Sequence, residues 1–206
     1  MMEKKSVRRL GILGGTFDPP HCGHMDLACY VRDTLELDEV ILIPTGDPPY
    51  KKTNASAKDR YEMVKLSVAQ YEKIESNDLE VVRSGTSYTV KTLQDLTQAY
   101  PNARLYFIVG ADTVDTLSSW YQIEKIFQLS EIVIVSRKGY NGLQKKIEIL
   151  KSLYSFEPTI LDEFVVDISS TQIRNRLEKH FSTAGLVKPS VEAYIQKRKL
   201  YTKNSI

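Results

Sequence analysis

Apolar residues along the chain fall into short runs separated by amphipathic stretches. Val7, Leu10, Ile12 and Leu13 form the first run, and Met25, Leu27, Ala28, Val31 and Leu35 then recur at helical spacing. This predicts a first strand followed by a helix that begins near Gly23. Residues 40–43 read as a second buried strand, stopped by Pro44. The polar stretch 45–57, with Gly46, Pro48 and Pro49, is longer than the usual connection and marks a functional loop. A helix is predicted over 59–71, with Met63, Val64, Leu66 and Ala69 on its apolar face. A short third strand is predicted over 79–82, a turn over 85–87 and a helix over 88–99. Residues 105–109 form the clearest central strand and deliver Gly110-Ala111-Asp112 at its carboxyl end. A helical stretch carrying Trp120 and Tyr121 runs on through Ile126 and Leu129, and 132–135 reads as a fifth strand. An amphipathic helix over 143–153, a strand within 159–166 and two helices, about 170–179 and 190–198, complete the pattern. Strand and helix alternate, so the predicted fold is α/β, Rossmann-like and doubly wound, with a mainly parallel sheet flanked by helices. Right-handed crossovers then bring the carboxyl ends of the strands to one crevice, where open sheets bind ligands.

Composition narrows the class. The 206 residues are enough for one domain, 1–206, with a substantial core; 42% are hydrophobic and 26% charged, as in ordinary globular proteins. A net charge of +2 is too small to argue for a nucleic-acid partner. The two cysteines, Cys22 and Cys29, are expected as free thiols of a reducing, cytoplasmic environment. The first nine residues lack the apolar core of a signal peptide, and no run of 18 apolar residues occurs, so no membrane partner is expected. Homo-oligomerisation is left open.

The stretch Gly11 to His24 reads Gly-Ile-Leu-Gly-Gly-Thr-Phe-Asp-Pro-Pro-His-Cys-Gly-His. A strand, a glycine turn and a helix N-terminus in that order make an anion site, because backbone N–H groups can approach a phosphate and the helix end adds unsatisfied donors. It is not a dinucleotide fingerprint, since Gly-x-Gly-x-x-Gly is absent, nor a P-loop, since no Gly-Lys-Ser/Thr occurs. His21 and His24 stand at the helix mouth, where imidazole donors would meet a phosphate. A zinc pair or a capping role are the alternatives for these two residues.

A second constellation lies at Ile168-Ser169-Ser170-Thr171-Gln172-Ile173-Arg174. Ser169 or Ser170 caps a new helix, and Arg174, three residues beyond Thr171, shares a face with it. Hydroxyls, a guanidinium and a helix N-terminus form a second phosphate clamp. Taken alone, the same string is also an ordinary capped helix with a solvated arginine.

These strings resemble the motifs of the His-x-Gly-His nucleotidyltransferase superfamily, and the fuller Gly-Gly-Thr-Phe-Asp-Pro-Pro-His-x-Gly-His is similar to that of the nicotinate mononucleotide adenylyltransferases. Further matches follow in the family's order. They are Pro48-Pro49-Tyr50-Lys51 (the family usually has histidine where Tyr50 stands), Ser87-Tyr88-Thr89, Gly110-Ala111-Asp112, Trp120-Tyr121, the Arg-x-Gly at 137–139, Ile-Ser-Ser-Thr-x-Ile-Arg and the terminal Leu200-Tyr201. The resemblance spans about 7–201. It implies adenylyl transfer from ATP to nicotinate mononucleotide, giving nicotinate adenine dinucleotide and pyrophosphate in NAD biosynthesis, with Mg2+ arriving on ATP. The implied catalytic residues are His21, His24 and Arg174. Implied ATP contacts are Gly14, Gly15, Thr16, Phe17, Gly23, Gly110, Asp112, Ser170 and Thr171. Implied mononucleotide contacts are Lys51, Tyr88, Thr89 and Trp120, whose indole would stack on the pyridine. Read from the residues alone, Trp120 is by default a core tryptophan with a satisfied N–H, and the alternatives are a helix cap for Asp112, an exposed lysine for Lys51, and Ser87 as the cap of the helix that opens at Tyr88. Asp18 is expected to fix the turn, and His180 carries no expected role.

Overall fold

The computed structural model describes residues 8–49, 52–137, 142–164 and 168–202. Its centre is a six-stranded, wholly parallel sheet in the order β3-β2-β1-β4-β5-β6. The strands are β1 (Arg8–Gly15), β2 (Glu39–Pro44), β3 (Ile74–Ser76), β4 (Ala103–Gly110), β5 (Glu131–Arg137) and β6 (Thr159–Phe164). The helices are α1 (Cys22–Thr34), α2 (Ala57–Val68), α3 (Leu79–Val82), α4 (Thr89–Ala99), α5 (Ile123–Leu129), α6 (Leu143–Leu153), α7 (Ser170–Glu178) and α8 (Pro189–Arg198). No helix among the described residues is long and apolar enough to cross a membrane.

Because side chains alternate across a strand, each strand feeds two cores. Leu10, Ile12, Ile41, Ile43, Phe107 and Ile134 face one way and pack with Leu93 and Leu96 of α4, Ile126 of α5 and Ile147 of α6. Leu13, Val40, Leu42, Ile108 and Val133 face the other way, against Met25, Ala28 and Val31 of α1 and Val64 of α2. A third cluster, Ala55, Met63, Ile173, Val187, Val191 and Ile195, joins α2, α7 and α8 away from the sheet. Gly11 is set by packing. A Cβ there would lie 2.8 Å from Leu37 and 2.9 Å from Val40, in the layer where α1 comes back onto the sheet.

Two expectations need correction. Residues 79–82 are the short helix α3, not a strand. The Asn77 side chain accepts the Leu79 N–H at 2.8 Å, and the N–H groups of Val81 and Val82 both turn back to the Asp78 carbonyl. The third strand is Ile74–Ser76, paired to Val40–Leu42 at the sheet edge, and only Ile74 of it is buried. Trp120 and Tyr121 do not lie on a helix either. Two 3-10 turns, Ala111–Asp115 and Leu117–Ser119, precede them, and α5 begins only at Ile123 after Gln122 takes a left-handed φ of 53°.

The strand order reverses between β1 and β4, so the crossovers from the two strands leave in opposite directions and open a crevice at their carboxyl ends.

Candidate active site

At that crevice the chain leaves a cleft of about 440 Å³. Gly14, Gly15 and Thr16 of the β1 turn, Gly110 at the end of β4, His24 of α1, and Tyr88 and Thr89 at the head of α4 all line it, as do Trp120 and Tyr121. The two glycines leave the β1 backbone open on this side, where a phosphate could approach the N–H groups.

His21 is the N-cap of α1, extended at φ −140° and ψ 168°. Its N–H donates to His24 Nδ1 at 3.1 Å, and the His24 N–H donates to the His21 carbonyl at 2.9 Å. The two rings stack with centroids 3.6 Å apart and planes 23° from parallel, and Phe17 meets the His24 ring edge-on at 4.9 Å. Stacked rings do not converge their nitrogens on one point between them, so the pair is not arranged as a metal chelate. Because His24 Nδ1 accepts a hydrogen bond, the ring proton belongs on Nε2. The capping role does not exclude a ligand role: one nitrogen ties off the helix end, and the other is left free to donate on a residue that lines the cleft.

Burial, and then the charge of neighbouring His21, hold the His24 pKa well below the ordinary 6.5. The folded protein thus binds this proton less readily than the unfolded chain. Stability due to the neutral ring is fully present above pH 6.5 and is lost as pH falls below it, at up to about 1.4 kcal/mol per pH unit. Urea midpoints between pH 7.5 and 5 are expected to fall more steeply for the unliganded protein than for His24→Gln. Parallel slopes would mean that the imidazole is not held neutral. The carboxylates Asp18 and Asp59, whose pKa values are lowered from 3.8, lose their contributions only at still lower pH.

The second clamp sits against the first. Ser169 caps α7 by accepting the Gln172 N–H at 3.1 Å, which leaves the Ser170 hydroxyl to donate to the Pro19 carbonyl at 2.8 Å. Arg174 donates to the Asp18 carbonyl at 2.7 Å and to the Thr171 hydroxyl at 3.1 Å. Residues 151 and 156 positions apart in sequence therefore meet across the 16–20 loop, and two helix N-termini adjoin one turn. Thr171 is exposed and Arg174 half-buried.

Arg60, fully buried on α2, holds this loop from behind. Its guanidinium donates to the carbonyls of Thr16 at 2.7 Å, Gly46 at 2.9 Å and Ala55 at 3.3 Å. Three neutral carbonyls replace the water that burial removes; desolvation still lowers the Arg60 pKa, opposed by the nearby Asp18 charge. Gly46 comes so close to α3 that a Cβ there would lie 2.0 Å from the Glu80 carbonyl oxygen.

The other end of the cleft is aromatic. Tyr88 and Tyr121 rings lie 4.9 Å apart, and the Trp120 indole meets Phe107 edge-on at 6.1 Å while its N–H reaches the Thr116 hydroxyl at 3.4 Å. Trp120 is half-buried, with one flank on the core and the rest in the cleft. Tyr88 is the N-cap of α4 without a side-chain cap, so the Thr89 and Val90 N–H groups are available to a ligand, while the Lys91 N–H donates to the Tyr88 carbonyl at 3.0 Å. Ser87 does not cap this helix. Its hydroxyl accepts the N–H groups of Gly46 and Asp47 at 3.1 and 3.3 Å and fastens the long loop to α4.

The structure thus brings Gly14, Gly15, Thr16, His24, Gly110, Tyr88, Thr89 and Trp120 to one cleft, whereas His21, Ser170, Thr171 and Arg174 do not line it: His21 lies stacked on His24, and Ser170 and Arg174 hold the carbonyls of the 16–20 loop beside it. Phe17 and Gly23 are buried and do not line the cleft: the Phe17 ring lies under Gly15 and beside His24, and Gly23 is inside the first turn of α1. They support the site from beneath. Asp112 is exposed in the turn after β4, its carboxylate folded back towards Gly110. Tyr50, Lys51 and the Lys138-Gly139 part of the Arg-x-Gly string lie outside the described residues. Arg60, Phe107 and Glu80 are contributors that the sequence did not single out, and none of them carries a local signal; Tyr121 stood in the matching Trp120-Tyr121 string but without a role.

A cytidylyltransferase-like family model matches residues 12–176. A probable nicotinate-nucleotide adenylyltransferase of Desulfitobacterium hafniense is 41% identical over 198 residues, covering 94% of this chain and 96% of its own. One from Synechococcus is 38% identical over 196 residues, with 94% and 97% covered. Among solved structures, Plasmodium falciparum nicotinic acid mononucleotide adenylyltransferase complexed with NaAD superposes with a TM-score of 0.79 at 21% identity, covering 94% of this chain and 97% of that one. That structural likeness speaks for the fold, and the sequence relatives speak for the family. By sequence over nearly its whole length, the chain belongs to the cytidylyltransferase-like nucleotidyltransferases and, within them, to the nicotinate-nucleotide adenylyltransferases.

Proposed function

We propose that this enzyme transfers the adenylyl group of ATP to nicotinate mononucleotide, releasing pyrophosphate and forming nicotinate adenine dinucleotide. The observation that carries this is His24: its Nδ1 is engaged by the His21 N–H, which leaves Nε2–H as a fixed donor where two helix N-termini meet. The phosphate of the mononucleotide is the nucleophile and attacks the α-phosphorus of ATP in line, as the bond to the pyrophosphate oxygen breaks. A phosphomonoester has a second pKa of about 6, so it is largely dianionic at neutral pH and needs no general base. Catalysis is then positioning and neutralisation of developing charge.

In this reading His24, with His21 stacked behind it, and the Gly14-Gly15-Thr16 backbone hold the α- and β-phosphates. Ser170, Thr171 and Arg174 receive the leaving pyrophosphate, and Gly110 and Asp112 take the nucleoside side. The N-terminus of α4 at Tyr88-Thr89 takes the pyridine carboxylate, and the Trp120 ring stacks on the pyridine; stacking of a base on an aromatic is worth about 1–3 kcal/mol. Magnesium is read as part of the nucleotide substrate. The described residues offer no group of three or more carboxylate, imidazole or thiol ligands that could hold an ion.

Pyrophosphate release with ATP or CTP against a panel of acceptor phosphates tests the assignment. ATP with nicotinate mononucleotide is expected to give the fastest release. Faster turnover with CTP, or with phosphopantetheine as acceptor, would overturn it.

A further inference from the structure

The C-terminal segment reaches back into the phosphate-binding turn. Tyr201, three residues beyond the end of α8, donates its hydroxyl to Asp18 Oδ1 at 2.8 Å across 183 positions of sequence. Asp18 is 4% exposed and takes three more donors: the Ala55 N–H on Oδ1 at 3.1 Å, and the Asn54 N–H and side-chain amide on Oδ2 at 2.7 and 3.1 Å. Burial works against ionisation here, but the hydrogen bonds from Asn54, Tyr201 and Ala55 outweigh it and hold the carboxyl below its ordinary range. The main-chain carbonyl of the same residue carries Arg174, and that of the next carries Ser170. One residue therefore ties together the glycine turn, the exit of the long loop, the head of α7 and the chain's end.

We propose that Tyr201, acting through Asp18, is a positioning residue for adenylyl transfer that sets the guanidinium of Arg174 at the pyrophosphate end of the cleft. This rests on the function proposed above. The carboxylate and the carbonyl of Asp18 hang from one Cα, so the contacts that fix the carboxylate also restrict the carbonyl, which is one of only two groups that aim Arg174 among the hydrogen bonds of the described residues. Asp59 keeps the lever short. Its carboxylate accepts the Tyr194 hydroxyl at 2.9 Å and Arg198 Nε at 3.1 Å, which staples α8 to the start of α2 just before the chain reaches Tyr201.

The test compares wild type, Tyr201→Phe, Arg174→Ala and the double variant. Readouts are turnover, melting temperature and the affinity for inorganic pyrophosphate, which needs no acceptor and no reaction. Tyr201→Phe keeps the ring and removes one hydroxyl. It is expected to lower kcat by about tenfold, within the range for a displaced positioning group, and to weaken pyrophosphate binding by about fivefold. In the Arg174→Ala background the same change is expected to alter either quantity less than twofold. A lower melting temperature with unchanged pyrophosphate affinity would make Tyr201 merely structural, and a full effect without Arg174 would show that it acts elsewhere; either result overturns the proposal. Failure of the functional reading looks different: wild type would bind pyrophosphate with the predicted dependence on Tyr201 yet release none from ATP and nicotinate mononucleotide.

Discussion

Replacing His24 by alanine is expected to lower turnover by ~10²–10³ while changing ATP affinity much less. Loss of one preorganised donor to developing charge costs about 2.7–4 kcal/mol. The geometry gives reasons to expect the upper part of that range. The ring is wedged between His21 and Phe17, so it loses little freedom when it meets a phosphate. It is also kept neutral with its proton on the nitrogen left for the cleft, and so requires no change of tautomer. On the proposed reading, the glycine turn and the α7 clamp also hold ATP in its ground state, which is why affinity should suffer less. Alanine also removes the acceptor for the His21 N–H, so melting temperature should be followed beside kcat and a direct ATP titration. Near-normal turnover would leave His24 with the helix-capping role alone.

The second large effect is the choice of acceptor. Efficiency with nicotinate mononucleotide is expected to exceed that with its amide at least about tenfold, and nearer ~10²-fold. At the head of α4, which lines the cleft, the Thr89 and Val90 N–H groups have no side-chain cap, and a carboxylate accepts at both oxygens. An amide turns one of those positions into an NH₂ donor, which would face another donor, and it lacks the charge that a helix N-terminus favours. A buried polar group left unpaired costs ~1–3 kcal/mol. Glu80 limits the ratio. Its buried carboxylate also lines the cleft, where its charge works against an acid, although the Thr92 hydroxyl binds it at 2.6 Å and Arg83 donates to that same hydroxyl at 2.9 Å. Comparison of the two mononucleotides at saturating ATP measures the ratio. Equal efficiencies would remove α4 as the discriminating element and leave adenylyl transfer itself standing.

What could be read beforehand follows the physics of each signal. Strong periodicity marked the central strands and most helices, because a strand buried on both faces or a helix with one apolar face must show it. The edge strand Ile74–Ser76 buries one side chain and shows no pattern, whereas Leu79–Val82 looks like a strand and was curled into a helical turn by Asn77 and Asp78. Gln122 in a left-handed conformation delayed the helix expected around Trp120. At the site, the histidines, glycines and the Ser-Thr-Arg head of α7 were legible, since each group is local in sequence. The supporting polar contacts were not. Arg60 sits on a helix face that reads as solvated, and nothing in the string of residues links Asp18 to Asn54 or to Tyr201. Long-range polar contacts have no period, so only the folded chain shows them.

The proposed reaction is a single in-line displacement, with the neutral His24 imidazole as a donor and the mononucleotide phosphate as the nucleophile. The stereochemical course at phosphorus tests it most directly. ATP made chiral at the α-phosphorus with sulfur and heavy oxygen is turned over with nicotinate mononucleotide, and the configuration of the dinucleotide product is read by phosphorus NMR. The geometry predicts inversion, because one displacement from the face opposite the leaving pyrophosphate inverts the centre. Retention would require two displacements and an adenylyl group carried on the protein, with an imidazole acting as nucleophile rather than donor, and would contradict the account.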